Sequence, residues 1–187
     1  MNPIAFAMTG LIFGLWANAF ALLGIGATPA KEGDVSPVKT VAVAGSLTAA
    51  ITLFFMAIWL TAAEPFGKGA PVNVLFAAIG GMYCLLWIGV FAVQWFGLDG
   101  RPVGNICLLC AILQVLHMIA VAIVVGTTGL HVWIVQLTLL SYVVLLLLFW
   151  GLFYGKVTAP TTGWWALLTC VGTAYLLWFG GGILPTP

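Results

Sequence analysis

Charge is what this sequence has least of: five Lys or Arg and four Asp or Glu in 187 residues, 5% of the chain. A water-soluble domain wets its surface with about 25% charged residues, so a soluble globule is excluded. Basic clusters are missing too. The net charge of +1 comes without a Lys- or Arg-rich stretch, which removes nucleic acid as a partner because such binding rests on clustered cations. Nor is there a polar stretch long enough for a catalytic domain outside a membrane. What is present is 64% hydrophobic residues and a mean hydropathy of +1.23, the composition of a chain whose main solvent is hydrocarbon.

Apolar windows of roughly 20 residues, set against their polar interruptions, predict six spans at about 3–26, 38–62, 71–96, 102–126, 131–154 and 163–184. The separators are Thr28 to Asp34, Glu64 to Gly69, Gly97 to Pro102, Gly126 to Gly129 and Gly155 to Thr162, and each contains Gly, Pro or charge. The runs do not alternate at period two, so they predict helices rather than barrel strands. The expectation is an all-α membrane protein with one six-helix domain over residues 1–187. The first span lacks a basic start and a small-residue cleavage site, and it reads as retained. Lys31, Lys39, Arg101 and Lys156 flank the first, third and fifth connections, with Lys68 alone on the opposite side. By the positive-inside rule both termini then lie outside, periplasmic if the chain sits in a bacterial inner membrane. The tight 97–102 turn also allows two three-helix halves of opposite orientation.

The span interiors lack carboxylates and ammonium groups, which proton pumps and ion channels ordinarily carry at membrane depth. They hold amides and hydroxyls instead, among them Asn18, Ser46, Gln94, Gln114, Gln136, Thr138, Ser141, Tyr142, Thr169 and Thr173. An amide side chain both donates and accepts hydrogen bonds, as a permeating amide does, so this inventory suits a small neutral polar solute. The same groups can instead fasten helices to one another. His117 and His131 could serve a haem or a metal in a bundle, but no further ligand accompanies them, and no cofactor or metal is expected. Cys107-Leu108-Leu109-Cys110 has the spacing of a redox pair. It lies on the side assigned as cytoplasmic, where thiols stay reduced, so all four cysteines read as apolar packing. Trp95, Trp133, Trp150, Trp164 and Trp165 lie near span ends and fit interfacial belts, whereas Trp16, Trp59 and Trp87 lie deeper. Gly10 and Gly14 have the spacing of a close helix contact, and Gly180-Gly181-Gly182 adds small residues near the end.

The third connection reads Gln94-Trp95-Phe96-Gly97-Leu98-Asp99-Gly100-Arg101-Pro102-Val103-Gly104, followed by Cys107. It resembles the signature connection of the AmiS/UreI family of urea and short-chain amide channels. Asn18-Ala19 with Leu22-Leu23-Gly24 is similar to that family's first helix, Thr173-Ala174-Tyr175 to its last, and Lys156 falls where the family keeps a basic residue. The resemblance implies a ring of protomers, a homo-hexamer, each with its own pore through a twisted six-helix bundle, and passive flux of urea or a short-chain amide. Carried over residue by residue, it makes Asn18 a pore-lining residue. Leu85 and Gly89 fall at aromatic pore positions of the third helix. Thr138, Ser141 and Leu145 fall where the fifth helix contributes Trp, and Thr169 where the sixth carries an acidic or small polar residue. Leu15, Trp87 and Tyr142 complete the expected substrate pathway, with Trp16 and Trp133 as further rings able to fill space left by the missing aromatics. The outer connections are short and hold only Glu64, Lys68 and nearby His131, so no acid gating is expected. The function expected is therefore a channel without catalysis. Two alternatives stand beside it: a membrane thiol or quinone redox protein using Cys107 and Cys110, and a non-transporting membrane scaffold subunit.

Overall fold

Proline stands at the first or second position of most of the helices, at Pro3, Pro37, Pro71, Pro102 and Pro160. Its fixed φ suits the first helical turn, where a missing N–H costs nothing, so these residues start helices where a mid-helix proline would break one. Glycine ends them. Gly97 and Gly126 take φ of 68° and 108° after the third and fourth helices, conformations that a Cβ makes costly.

The computed structural model describes residues 2–28, 35–126 and 129–180. Among these there is no strand, and the chain forms helices α1 (Pro3–Leu22), α2 (Pro37–Ala63), α3 (Pro71–Phe96), α4 (Arg101–Val125), α5 (Leu130–Phe153) and α6 (Ala159–Gly180). Helices α1 to α5 are long and apolar enough to cross a membrane, which makes the chain compatible with a multi-pass helical membrane protein. Helix α6 has 22 residues and no charged side chain, with threonine, glycine and tryptophan diluting its apolar content. The expected boundaries hold for α2 to α5 within a residue or so. The first helix is shorter than expected because the chain turns at residues 23–26, with Gly24 and Gly26 at positive φ. Helix α6 starts four residues earlier than expected, at Ala159. Lys31, Gly181, Gly182 and the predicted end of the last span at 184 lie outside the described residues.

Each helix packs against its sequence neighbours, and α6 returns against α1, so the six close a ring in chain order. Small residues set the spacing at the seams. A Cβ on Gly10 would fall 2.0 Å from Thr52 Oγ1, and one on Gly14 would fall 2.8 Å from the Cβ of Ala49 and 3.3 Å from the Gly45 carbonyl. The Gly10/Gly14 pair therefore joins α1 to α2 within one chain. Gly163 lies as close to the Ala19 carbonyl across the α1–α6 seam, and Gly172 to Thr138 across α5–α6. Such close backbone approach supplies the dispersion contacts that hold helices together where lipid removes the hydrophobic difference. Helix α2 carries a π-helical turn at Ala42–Leu47, which adds a residue to one turn and places Ser46 toward α1 and α3.

Outward faces are apolar, with Phe13, Trp16, Phe55, Trp59, Leu85, Ile123, Trp133 and Val171 among the exposed large side chains. Of the three deeper tryptophans, Trp16 and Trp59 point outward and only Trp87 turns in.

Candidate functional site in the bundle interior

The interior carries polar groups at two levels with an apolar layer between. Toward the end that holds Lys39, Asp99 and Arg101, three helices meet through a cyclic set of hydrogen bonds. Asn18 Nδ2 donates to Ser46 Oγ at 3.1 Å, Ser46 Oγ donates to Gln94 Oε1 at 2.8 Å, and Gln94 Nε2 donates to Asn18 Oδ1 at 2.5 Å. Asn18 Nδ2 also donates to the Gly14 carbonyl at 2.9 Å. Asn18 and Ser46 are buried, and Gln94 is half-buried. Every donor and acceptor that Asn18 offers within this set has a protein partner, which makes it a fastener of α1, α2 and α3 in this conformation.

The apolar layer encloses a cavity of about 20 Å³ lined by Leu15, Tyr83, Leu86, Trp87, Val90, Cys107, Tyr142, Leu145, Leu146 and Phe149. That is room for about one water-sized sphere. At the same depth the second polar level begins. Tyr83 Oη donates to Gln114 Oε1 at 3.1 Å, the rings of Tyr83 and Tyr142 lie 5.4 Å apart, and the Tyr142 hydroxyl bonds the hydroxyl of Thr173. Thr162, Thr169 and Thr173 are fully buried on α6, each donating to the carbonyl one turn back, so their hydroxyls add polarity inside without an unpaired donor.

The residues expected along a substrate path divide four ways. Leu15, Trp87, Tyr142 and Leu145 are brought together around the cavity. Asn18 lies beyond them in the hydrogen-bonded triad, while Thr138, Ser141 and Thr169 sit at the α5–α6 seam. There Thr138 Oγ1 donates to the Ile134 carbonyl, Ser141 Oγ to Thr138 O, and Trp165 Nε1 to the Ser141 carbonyl. Leu85 and Gly89 are not part of the interior set: Leu85 is 70% exposed on the outer face, and Gly89 is half-buried against Val103 of α4. The helical period explains this, because Trp87 and Leu86 occupy the inward arc of α3 and residues one or two positions away rotate outward. Trp133 also faces outward.

Three residues had no place on that path. Gln114 and Ser46 appear in sequence only as neutral polar residues at membrane depth, and nothing in their spacing marks them as facing the centre. Tyr83 carries no sequence signal at all. Asn73 matters at the opposite end: buried at the start of α3, it donates from Nδ2 to the Gly67 carbonyl at 2.8 Å and accepts from Phe66 N at 3.3 Å, stapling the 64–70 connection.

Cys107 and Cys110 are buried and unpaired, as are Cys84 and Cys170, and Cys107 is part of the cavity wall. No group of three His, Cys, Asp or Glu among the described residues is placed to hold a metal ion. His131, at the start of α5, bonds the hydroxyl of Tyr175 on α6. At the α3–α4 turn, Arg101 Nε donates to both oxygens of Asp99 at 3.0 and 2.9 Å, and hydrogen bonds from the Arg101 side chain and backbone lower the Asp99 carboxyl to about 2. Lys39 lies over the ring of Trp95 and Lys156 over Trp150, so these two cations rest on aromatic rings while Arg101 pairs with Asp99. Comparison of the chain with protein-family models, with curated proteins and with solved structures returned no match.

Proposed function

We propose that the protein is a passive membrane channel for small neutral polar solutes, with urea and short-chain amides as the solute class. The observation that carries this reading is the chemistry of the interior: among the described residues, every buried polar side chain is neutral. Amides and hydroxyls at two levels can exchange hydrogen bonds with a solute that also donates and accepts, whereas an ion would meet no compensating charge. We read α6 as the sixth span, since its 22 residues extend about 33 Å at 1.5 Å per residue and carry no charge. The AmiS/UreI-like connection at Gln94–Gly104 supports the same solute class and a hexameric ring in a bacterial inner membrane, and the distribution of Lys and Arg among the connections supports both termini outside. In this conformation Leu15, Trp87, Tyr83 and Tyr142 close the middle, so conduction requires their side chains to move.

A second reading, a membrane scaffold without transport, is favoured by the satisfied Asn18–Ser46–Gln94 triad, which is how a helix fastener is built. Stopped-flow swelling of proteoliposomes separates the two, with urea, formamide, acetamide and glycerol as solutes. A channel speeds entry of the amides over empty vesicles, and Leu15→Ala, which enlarges the narrow layer, raises that rate further. Entry no faster than into empty vesicles for every solute refutes the channel.

A further inference from the structure

We propose that the side-chain amide of Gln114, together with the Tyr83 hydroxyl, is a binding site for the planar amide group of a solute at the centre of the bundle. The inference rests on the channel reading and adds the place where the solute is held. Gln114 is 0% exposed, and its Oε1 accepts from Tyr83 while its Nε2 has no hydrogen-bond partner. The other buried side-chain atom without a partner among the described residues is His117 Nδ1, on the same face of α4 one turn further on. Buried polar groups in proteins nearly always find a partner, and those that do not mark a place where something else supplies it.

Turning the Gln114 amide over does not remove the deficit. A tyrosine hydroxyl either donates or accepts, so Tyr83 satisfies whichever end of the amide faces it and leaves the other end unpaired. The neighbouring Tyr142 hydroxyl donates to Thr173 Oγ1, whose own proton goes to the Thr169 carbonyl, and it makes no bond to Gln114. The vacant capacity is thus Gln114 Nε2, beside an Oε1 that keeps a second lone pair, and Tyr83, which bonds that oxygen, lines the cavity wall. A primary amide or urea presents a carbonyl and an N–H in one plane and can form a paired, two-bond contact with this amide edge. Polyols have no such planar pair. Charged solutes would enter without a counter-charge and pay the full desolvation penalty. The tyrosine rings of α3 and α5, 5.4 Å apart and inclined by 56°, supply apolar faces beside the amide edge. Because the cavity of about 20 Å³ holds no more than a water-sized sphere, binding requires other side chains that close it, Leu15 and Trp87 among them, to move.

The test uses the purified full-length chain with its three glutamines, Gln94, Gln114 and Gln136, labelled with nitrogen-15 at the side-chain amide. Gln114→Met assigns the resonance directly, and Gln94→Met with Gln136→Met assigns it by elimination if that variant does not fold. Titration with acetamide is expected to move the Gln114 resonances while glycerol leaves them in place, and Gln114→Met is expected to weaken acetamide binding about tenfold, as loss of the paired contact implies. Gln114 resonances that stay fixed through the acetamide titration, or move equally with glycerol, overturn the site. Vesicle flux is measured in parallel. Shifted resonances without flux leave the site standing and refute the channel; flux with fixed resonances keeps the channel and refutes the site.

Discussion

Replacing Gln94 by Leu measures what the Asn18–Ser46–Gln94 triad contributes. The substitution removes the bond Gln94 gives to Asn18 Oδ1 and the one it accepts from Ser46 Oγ, at 2.5 and 2.8 Å. Interhelical hydrogen bonds in membrane proteins contribute about 0.6–1.7 kcal/mol each, so two of them predict a loss of about 1–3 kcal/mol. Ser46→Ala removes two bonds as well, one to Gln94 and one from Asn18. The bond between Ser46 and Gln94 belongs to both sets. The double variant must therefore lose less than the sum of the single ones, by about 0.5–1 kcal/mol. Reversible unfolding of the purified protein in mixed micelles with increasing dodecyl sulfate, followed by circular dichroism, gives all three free energies. Effects that add to within about 0.3 kcal/mol would show that the three side chains do not act as one network, and the triad would lose its place as the fastener of α1, α2 and α3.

Gly14→Val forces a branched side chain against Ala49 and the Gly45 carbonyl and should cost about 1–3 kcal/mol in the same assay, whereas Gly81→Ala, with nothing within 4 Å of the new Cβ, should stay within about 0.5 kcal/mol. The Asp99–Arg101 pair lowers the Asp99 carboxyl to about 2, against an ordinary value of about 3.9. A carboxyl whose folded value is depressed contributes stability above its unfolded value and loses it as the pH falls through the folded one. Unfolding should therefore be flat from neutral pH to about 5 as far as this pair is concerned, with its contribution lost between about 4 and 2, and Asp99→Asn should remove that acid step. Amide flux, if acid gating is absent, should change less than a few-fold between acid and neutral pH; a larger change in the vesicle assay contradicts the expectation. Cys107→Ser/Cys110→Ser, which removes the thiols with little change of volume, should leave flux at the wild-type level, and abolished flux would instead point to thiol chemistry.

Much of the site was out of reach of the sequence for a geometric reason. Asn18, Ser46 and Gln94 are each visible as neutral polar residues at membrane depth, yet they come from three helices at separations of 28, 48 and 76 residues, and only the packing joins them. The π-helical turn at Ala42–Leu47 rotates Ser46 into that contact, and no residue pattern in this stretch announces it. Leu85 shows the opposite error. Alignment of a resemblance places a residue at a position, but two residues along the helix, at Trp87, the side chain faces the interior instead.

Composition and the spacing of Gly, Pro and charge determine by themselves that this chain is a set of long apolar helices, where most of them begin and end, and that the Gly10–Gly14 stripe is a contact face. These are properties of the solvent each segment needs and of backbone freedom, and both are written along one dimension. Tertiary structure alone decides that the helices close a ring in chain order, that Trp87 turns inward while Trp16 and Trp59 face out, and that Asn18 is satisfied while Gln114 is not. Such outcomes depend on how each nearly uniform apolar cylinder is rotated about its axis. Where lipid and protein interior are equally apolar, that rotation is set by close packing and a few hydrogen bonds between helices, which hydropathy does not record.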